Sequence, residues 1–152
     1  MFVKTAIVYA SVHHGNTQKV VDAIAKEYVV DLIDATKIKF ADLSEYDVIG
    51  FASGIFFGKF HRSVLDFARE NLPEGKKVFF ISTYGSKEGY SSIDKIAEAK
   101  NALIIDKYGC KGWDTFGVFA LVGGIQKGHP DKNELADAVQ FYRDLVHWIL
   151  AS

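Results

Sequence analysis

Apolar and polar positions alternate along the chain in two different periods, and stretches of one period follow stretches of the other. Runs rich in β-branched and aromatic residues occupy KTAIVYA (4–10), YVVDLIDA (28–35), YDVIGFAS (46–53), KVFFIST (77–83) and WDTFGVFAL (113–121), and these read as strands. Between them apolar residues recur every three or four positions, as on one face of a helix. Thr17, Val21, Ile24 and Tyr28 form one stripe; Val64, Leu65, Ala68 and Leu72 form a second; Ile93, Ile96, Ala97, Lys100, Leu103 and Ile104 form a third. The most regular runs through Leu135, Ala138, Val139, Tyr142, Leu145, Val146 and Ile149. Asp131 with Glu134 predicts a capping box at the start of this last helix, and Ser91 with Asp94 predicts the same for the 93–104 stripe. Gly109 is placed to end that stripe in a left-handed cap.

Several strand runs are apolar on both faces, as strands of a parallel sheet covered by helices on both sides must be. Five strands with five connecting or flanking helical segments predict an α/β fold. Its form is a three-layer α/β/α sandwich around a five-stranded parallel sheet of order 2-1-3-4-5, a single domain over residues 1–152. Ligands of such sheets bind outside the carboxyl ends of the strands, where the order reverses between strands 1 and 3. The loops after strands 1, 3 and 4 are therefore the places to search.

Composition narrows the function classes. At 152 residues and 49% hydrophobic content, the chain has enough apolar surface for one full core. Its 18 basic and 19 acidic side chains give a net charge of −1, which calls for neither nucleic acid nor an anionic membrane as partner. The one cysteine, Cys110, forms no internal disulfide and no paired redox motif; it reads as a structural thiol of a reducing compartment. MFVKTAIVYA is too short an apolar run for a secretory signal, and no stretch approaches the roughly 20 apolar residues of a membrane span. A cytoplasmic, monomeric protein is expected.

The first loop, SVHHGNT, is a strand-to-helix turn whose backbone amides at a helix start make a ready anion site: Ser11, Val12, His13, His14, Gly15, Asn16 and Thr17. Gly15 is free to adopt positive φ, and Asn16 and Thr17 offer short polar groups. The loop after strand 3, SGIFFGKFH, places Ile55, Phe56, Phe57 and Phe60 around Gly54 and Gly58, where a surface loop is normally polar. Such an aromatic loop suits stacking on a planar ring. After strand 4, Thr83, Tyr84, Gly85 and Ser86 open a second loop on the same edge, with Gly89 and Tyr90 further on. LVGGIQKGHPDKNE, with Gly123, Gly124, Lys127, Gly128 and His129, either flanks this edge or simply connects to the last helix. His13, His14, His61 and His129 could meet at the edge around a metal, but no carboxylate-rich or His-x₃-His spacing supports them. No nucleophile elbow and no dinucleotide glycine pattern is present.

A phosphate turn followed by two aromatic or glycine-bearing walls resembles the flavodoxin family. SVHHGNTQKVVDAIA resembles its phosphate loop, commonly Thr/Ser-x-Thr-Gly-Asn-Thr, and DLSEYDVIGFASGIFFGK resembles its third strand and first ring-binding loop. Gly15, Asn16 and Thr17 match the motif, while Val12 and His14 stand where hydroxyl residues are common, so imidazole donors would replace hydroxyls. The resemblance implies bound flavin mononucleotide, with phosphate on residues 11–17 and the ring between 54–58 and 83–86. Phe56 or Phe57 would stack on the ring, and the Gly58 peptide would be free to turn toward it. It further implies one-electron transfer between a reductase and acceptor enzymes, without substrate chemistry of its own. The near-zero net charge departs from the acidic character common in that family. GKFHRSVLDF is also similar to the menaquinone-dependent protoporphyrinogen oxidase branch, the alternative reading as a flavoenzyme.

Overall fold

The computed structural model describes residues 2–12, 14–114 and 123–152. Its first elements are β1 (Thr5–Ala10), α1 (Asn16–Glu27), β2 (Asp31–Asp34), β3 (Val48–Phe56), β4 (Lys59–Phe60) and α2 (Arg62–Asn71). They are followed by β5 (Lys77–Tyr84), α3 (Ser91–Ala99), β6 (Leu103–Lys111) and α4 (Lys132–Ala151). Five strands pair in parallel in the order β2-β1-β3-β5-β6, which is the doubly wound order expected, and β4 is an addition that pairs antiparallel with the end of β3.

The sheet carries a core on each face because strand residues alternate sides. From β5, Val78 and Phe80 join Phe51, Phe60, Val64, Phe67 and Ile93 beneath α2 and α3. Their neighbours Phe79 and Ile81 join Ile7, Val20, Val21, Ile24 and Tyr142 beneath α1 and α4. Both sets are fully or almost fully buried, so the both-faces-apolar pattern of the strands has the cause inferred for it. Inside the second core Thr5 Oγ1 and Tyr142 OH share a 2.7 Å hydrogen bond, which satisfies the only polar tip that α4 buries there.

Three sequence expectations are corrected. The 93–104 stripe does not form one helix: α3 stops at Ala99, Asn101 takes a left-handed φ of 52°, and Leu103 begins β6. Asn101, not Gly109, is thus the left-handed terminator, and its amide donates to Glu98 O at 3.0 Å. Apolar spacing alone could not separate the two elements, since Leu103 and Ile104 fall in phase with the helix. Gly109 lies within β6, where a side chain would meet Tyr90 OH, Ser82 Oγ and the Glu88 carboxylate. Second, the fifth parallel strand is therefore β6, at 103–111; Trp113 and Asp114 of the expected 113–121 strand lie beyond it, and 115–122 lie outside the described residues. Third, Ser91 does not cap α3, whose N-cap is Tyr90 without a side-chain bond; Asp94 instead pairs with Lys107 at 2.9 Å. The capping box of α4 forms as expected, with Glu134 N donating to Asp131 Oδ1 and Asp131 N to Glu134 Oε1.

Boundaries also move in ways that matter for the site. β2 is shorter than 28–35 because Tyr28 is the C-cap residue of α1. β3 runs on to Phe56, so residues 54–56 are strand rather than loop, and Phe57-Gly58 is a two-residue hairpin turn into β4. Both turn residues have left-handed φ, 52° and 78°, as a type I′ turn requires. Cys110 is buried in β6, and burial pushes its thiol up to about 12, with the Glu134 carboxylate acting the same way. Among the described residues no helix is long and apolar enough to cross a membrane.

Candidate functional site

β1, β3 and β5 end side by side, in register from Ala10 against Ser53 and from Gly54 against Thr83. Their carboxyl ends open into one shared cleft. Parallel register thus delivers the three predicted segments to one place. Ser11, Val12, Asn16 and Thr17 line it from the first turn, Gly54, Ile55 and Phe56 from β3, and Thr83, Tyr84 and Gly85 from β5. Phe57, Gly58, Ser86, His14 and Gly15 are near in sequence but are not part of that lining. His13 lies outside the described residues.

The first turn is sharp and bonded to the helix it starts. His14 and Gly15 take left-handed φ of 56° and 68°, turning the chain sharply from β1 into α1. The Ser11 hydroxyl oxygen accepts from Gln18 N at 2.9 Å, which ties the start of the turn to the helix. First-turn amides have no partner within a helix, and no acidic residue stands in the first turn of α1 to oppose an anion. Thr17 Oγ1 and Thr83 Oγ1 are 2.9 Å apart and buried, so the helix start is bonded directly to the end of β5.

Asn16 is 7% exposed. Its Nδ2 donates to Trp113 O at 2.8 Å, while its Oδ1 is buried without a hydrogen-bond partner. Such an orphaned acceptor costs roughly 1–3 kcal/mol unless something donates to it.

Gly112, Trp113 and Asp114 also line the cleft; the sequence pattern missed Trp113 and Asp114 because it assigned 113–121 to a strand, and gave no reason to single out Gly112. The Trp113 ring stacks on His14, with centroids 3.8 Å apart and planes 17° off parallel, and Lys127 Nζ lies 5.4 Å from its centroid. Asp114 bridges backbone to backbone with Ile125, and Trp113 N donates to His129 O at 3.1 Å. The 123–129 segment therefore does flank the edge, through its bonds to Trp113 and Asp114, including the Trp113 indole N–H to Gly123 O at 3.5 Å.

The aromatic residues after β3 divide in role. Phe60 is core. Phe56 lies edge-on to His61, centroids 5.6 Å apart, with its ring over Gly54. Phe57 is 86% exposed at the hairpin tip. The hairpin leans on the loop after β5: a side chain on Gly89 would come 2.8 Å from Gly58 O.

The histidines do not gather around one ion among the described residues. His61 is the N-cap of α2, its Nδ1 accepting from Ser63 N at 3.1 Å, and burial together with the Lys39 charge lowers its pKa from the ordinary value. His129, Asp131 and Glu134 hold ligand-type atoms within 4.8 Å of one another; Asp131 Oδ1 and Glu134 Oε1 accept the amides of the α4 capping box, and His129 Nδ1 bonds Glu134 Oε1. Desolvation raises the pKa of Tyr84, and Glu88 adds to it, so its phenol stays protonated.

Fold and cleft together define a doubly wound α/β protein with an anion-ready strand-to-helix turn at its topological switch point. A family model described as flavodoxin domain matches residues 6–125. The chain is 34% identical over 147 residues to an uncharacterized protein of Methanocaldococcus jannaschii, spanning 94% of this chain and 98% of that one. Among solved structures, oxidised flavodoxin 2 of Bacillus cereus superposes with a TM-score of 0.64 at 20% identity, covering 95% of this chain and 98% of its own. Rubredoxin oxygen:oxidoreductase of Desulfovibrio gigas gives a TM-score of 0.74 at 13% identity, over 97% of this chain and 36% of that longer one. The chain belongs to the flavodoxin family.

Proposed function

We propose that the protein binds flavin mononucleotide in this cleft and carries single electrons between a reductase and an acceptor enzyme in the cytoplasm. The observation that carries the reading is the convergence on one cleft of the acid-free first turn of α1 and the ends of β3 and β5. Bound flavin supplies the redox chemistry; the chain supplies position and exclusion of water. The first-turn amides with Ser11, Asn16 and Thr17 hold the phosphate. The orphaned Asn16 Oδ1 accepts from a hydroxyl of the ribityl chain. Gly54, Ile55 and Phe56 on one side and Thr83, Tyr84 and Gly85 on the other flank the ring, with Phe57 at its outer edge.

Fluorescence titration with flavin mononucleotide and with riboflavin tests this. Saturable 1:1 quenching by the phosphorylated ligand, tighter than by riboflavin, is expected. Absence of saturation below about 1 mM, a standard free energy near −4 kcal/mol, overturns it.

A further inference from the structure

α2 and α3 each join two parallel strands of the sheet, so they run in the same direction, side by side over the core that holds Phe51, Phe60 and Phe80. Between them lies a groove that shares no lining residue with the cleft. Its floor is apolar: Leu65 and Ile96 are 8% and 7% exposed, and the small side chain of Ala99 lies open beside them. Its rim is cationic, with Lys59, Arg69, Lys95 and Lys100 and no carboxylate among the lining side chains.

The carboxylates of the surrounding elements are balanced or turned elsewhere. Asp66 sits 3.0 Å from Arg69 and 3.6 Å from Arg62. Glu70 lines a different hollow, with Lys39 and Phe40. Asp94 pairs with Lys107 of β6 at 2.9 Å, and Glu98, one turn on, continues that row rather than the row of Ser92, Ile96 and Ala99. Glu74 accepts from Asn101 Nδ2 at 3.0 Å beyond the end of α3, and Glu88 accepts from Tyr90 OH. With Arg62 added to the four lining cations, and Asp66 and Glu74 both set against them, the groove stays positive. Among the described residues Lys59, Lys95 and Lys100 have no ion-pair partner.

An apolar floor beneath unpaired cations suits an anion with an apolar body. No aromatic side chain lines the groove, so a nucleobase has nothing to stack on. Lys59, Arg69, Lys95 and Ala99 are all exposed, so an alkyl chain laid there would stay wet, whereas small-molecule sites enclose most of their ligand. A helix has its backbone bonded internally and needs to bury only one face. We propose that this groove docks an acidic amphipathic helix of a partner protein. Leucine-type side chains of that helix rest on Ile96 and Ala99, and flanking carboxylates meet Lys59, Arg69, Lys95 and Lys100. From Ser92 to Lys100 the helical rise gives about 12 Å, which two to three turns of such a helix cover.

The test is an NMR titration of the ¹⁵N-labelled full chain at about 0.05 M salt, where charges are screened over somewhat more than about 10 Å. The probe is a capped helical peptide of about 14 residues, leucine at helical spacing and glutamate on the flanks, compared with the same peptide carrying lysine for glutamate. Saturable shifts should centre on the amides of α2 and α3 with Kd below about 1 mM, and the lysine peptide should bind at least about tenfold more weakly. Lys95→Gln/Lys100→Gln should weaken the acidic peptide about tenfold, and Ala99→Phe, which fills the exposed floor, should do so through shape alone. Lys26→Gln/Lys37→Gln, the same loss of charge at exposed positions of α1 and the segment after β2, should stay within about twofold. The proposal is overturned by no saturation below about 1 mM, by shifts centred on the cleft, by equal binding of the lysine peptide, or by full affinity in Lys95→Gln/Lys100→Gln or Ala99→Phe. Octanoate saturating the same amides at lower concentration than the peptide would make this a fatty-acid site, and a dimer in sedimentation that Lys95→Gln/Lys100→Gln dissociates would make the occupant a second copy; either result also overturns it. The flavin titration reads a different site, so its failure and this one are told apart directly.

Discussion

Phe57→Asn should make the protein more stable and, on the electron-carrier reading proposed above, a poorer electron donor. Phe57 occupies the first central position of the type I′ turn between β3 and β4 with φ of 52°, followed by Gly58 at 78°. A bulky L-residue in the left-handed region costs roughly 1–2 kcal/mol, because Cβ crowds the following carbonyl, whereas asparagine tolerates it and favours this turn position. With the ring 86% exposed, its removal forfeits little burial. The balance is a gain of about 1 kcal/mol, which for a chain near 150 residues raises Tm by roughly 2–4 °C. Urea denaturation of apoprotein should show a higher midpoint at unchanged m-value. Phe57→Ala keeps a Cβ at the same φ and should change stability by less than about 0.5 kcal/mol, which separates backbone strain from loss of the ring. Both variants should slow electron transfer to an acceptor protein, since both remove the apolar tip. An unchanged or lower midpoint for Phe57→Asn would refute the strain argument; faster transfer would refute the functional one.

Trp113→Ala removes the His14 stack, worth about 0.5–1.5 kcal/mol, and releases the left-handed His14 backbone, so flavin mononucleotide should bind roughly 3–10-fold more weakly while riboflavin changes by less than about twofold. Parallel fluorescence titrations decide it, and an equal loss for both ligands would place Trp113 at the ring instead. Gly89→Ala sets a methyl 2.8 Å from Gly58 O, a backbone atom that no rotamer change can move aside, so stability should fall by about 1–3 kcal/mol in urea denaturation. A fall below about 0.5 kcal/mol would mean the two loops separate freely. His61 holds its pKa below the ordinary value in the folded chain, so the unfolded chain takes up the proton first, and stability is lost as pH falls from about 7 through the ordinary histidine range. His61→Asn retains an acceptor for Ser63 N and should flatten that slope in denaturation midpoints between about pH 7 and 5.5; an unaltered slope would point to another group.

Alternation and helical period pointed to the layers and the parallel sheet, because strands apolar on both faces can be buried only between helices, and the order followed from the doubly wound arrangement that such elements fit. They also fixed that Ser11, Asn16 and Thr17, residues 54–56 and residues 83–85 would share one edge, since parallel strands of a given order must end together. Local pattern could not tell where α3 stops and β6 starts, because Leu103 and Ile104 continue the helical stripe and the decision falls to one left-handed residue, Asn101. That misreading displaced the fifth strand and hid Trp113, whose place beside His14 depends on contacts between segments about 100 residues apart. Nor does any spacing reveal that Asn16 keeps a buried acceptor open, that Phe57 stands strained and exposed while Phe56 turns back, or that Gly58 rests on Gly89. Those are properties of surfaces brought together by the folded sheet, and only the tertiary structure decides them.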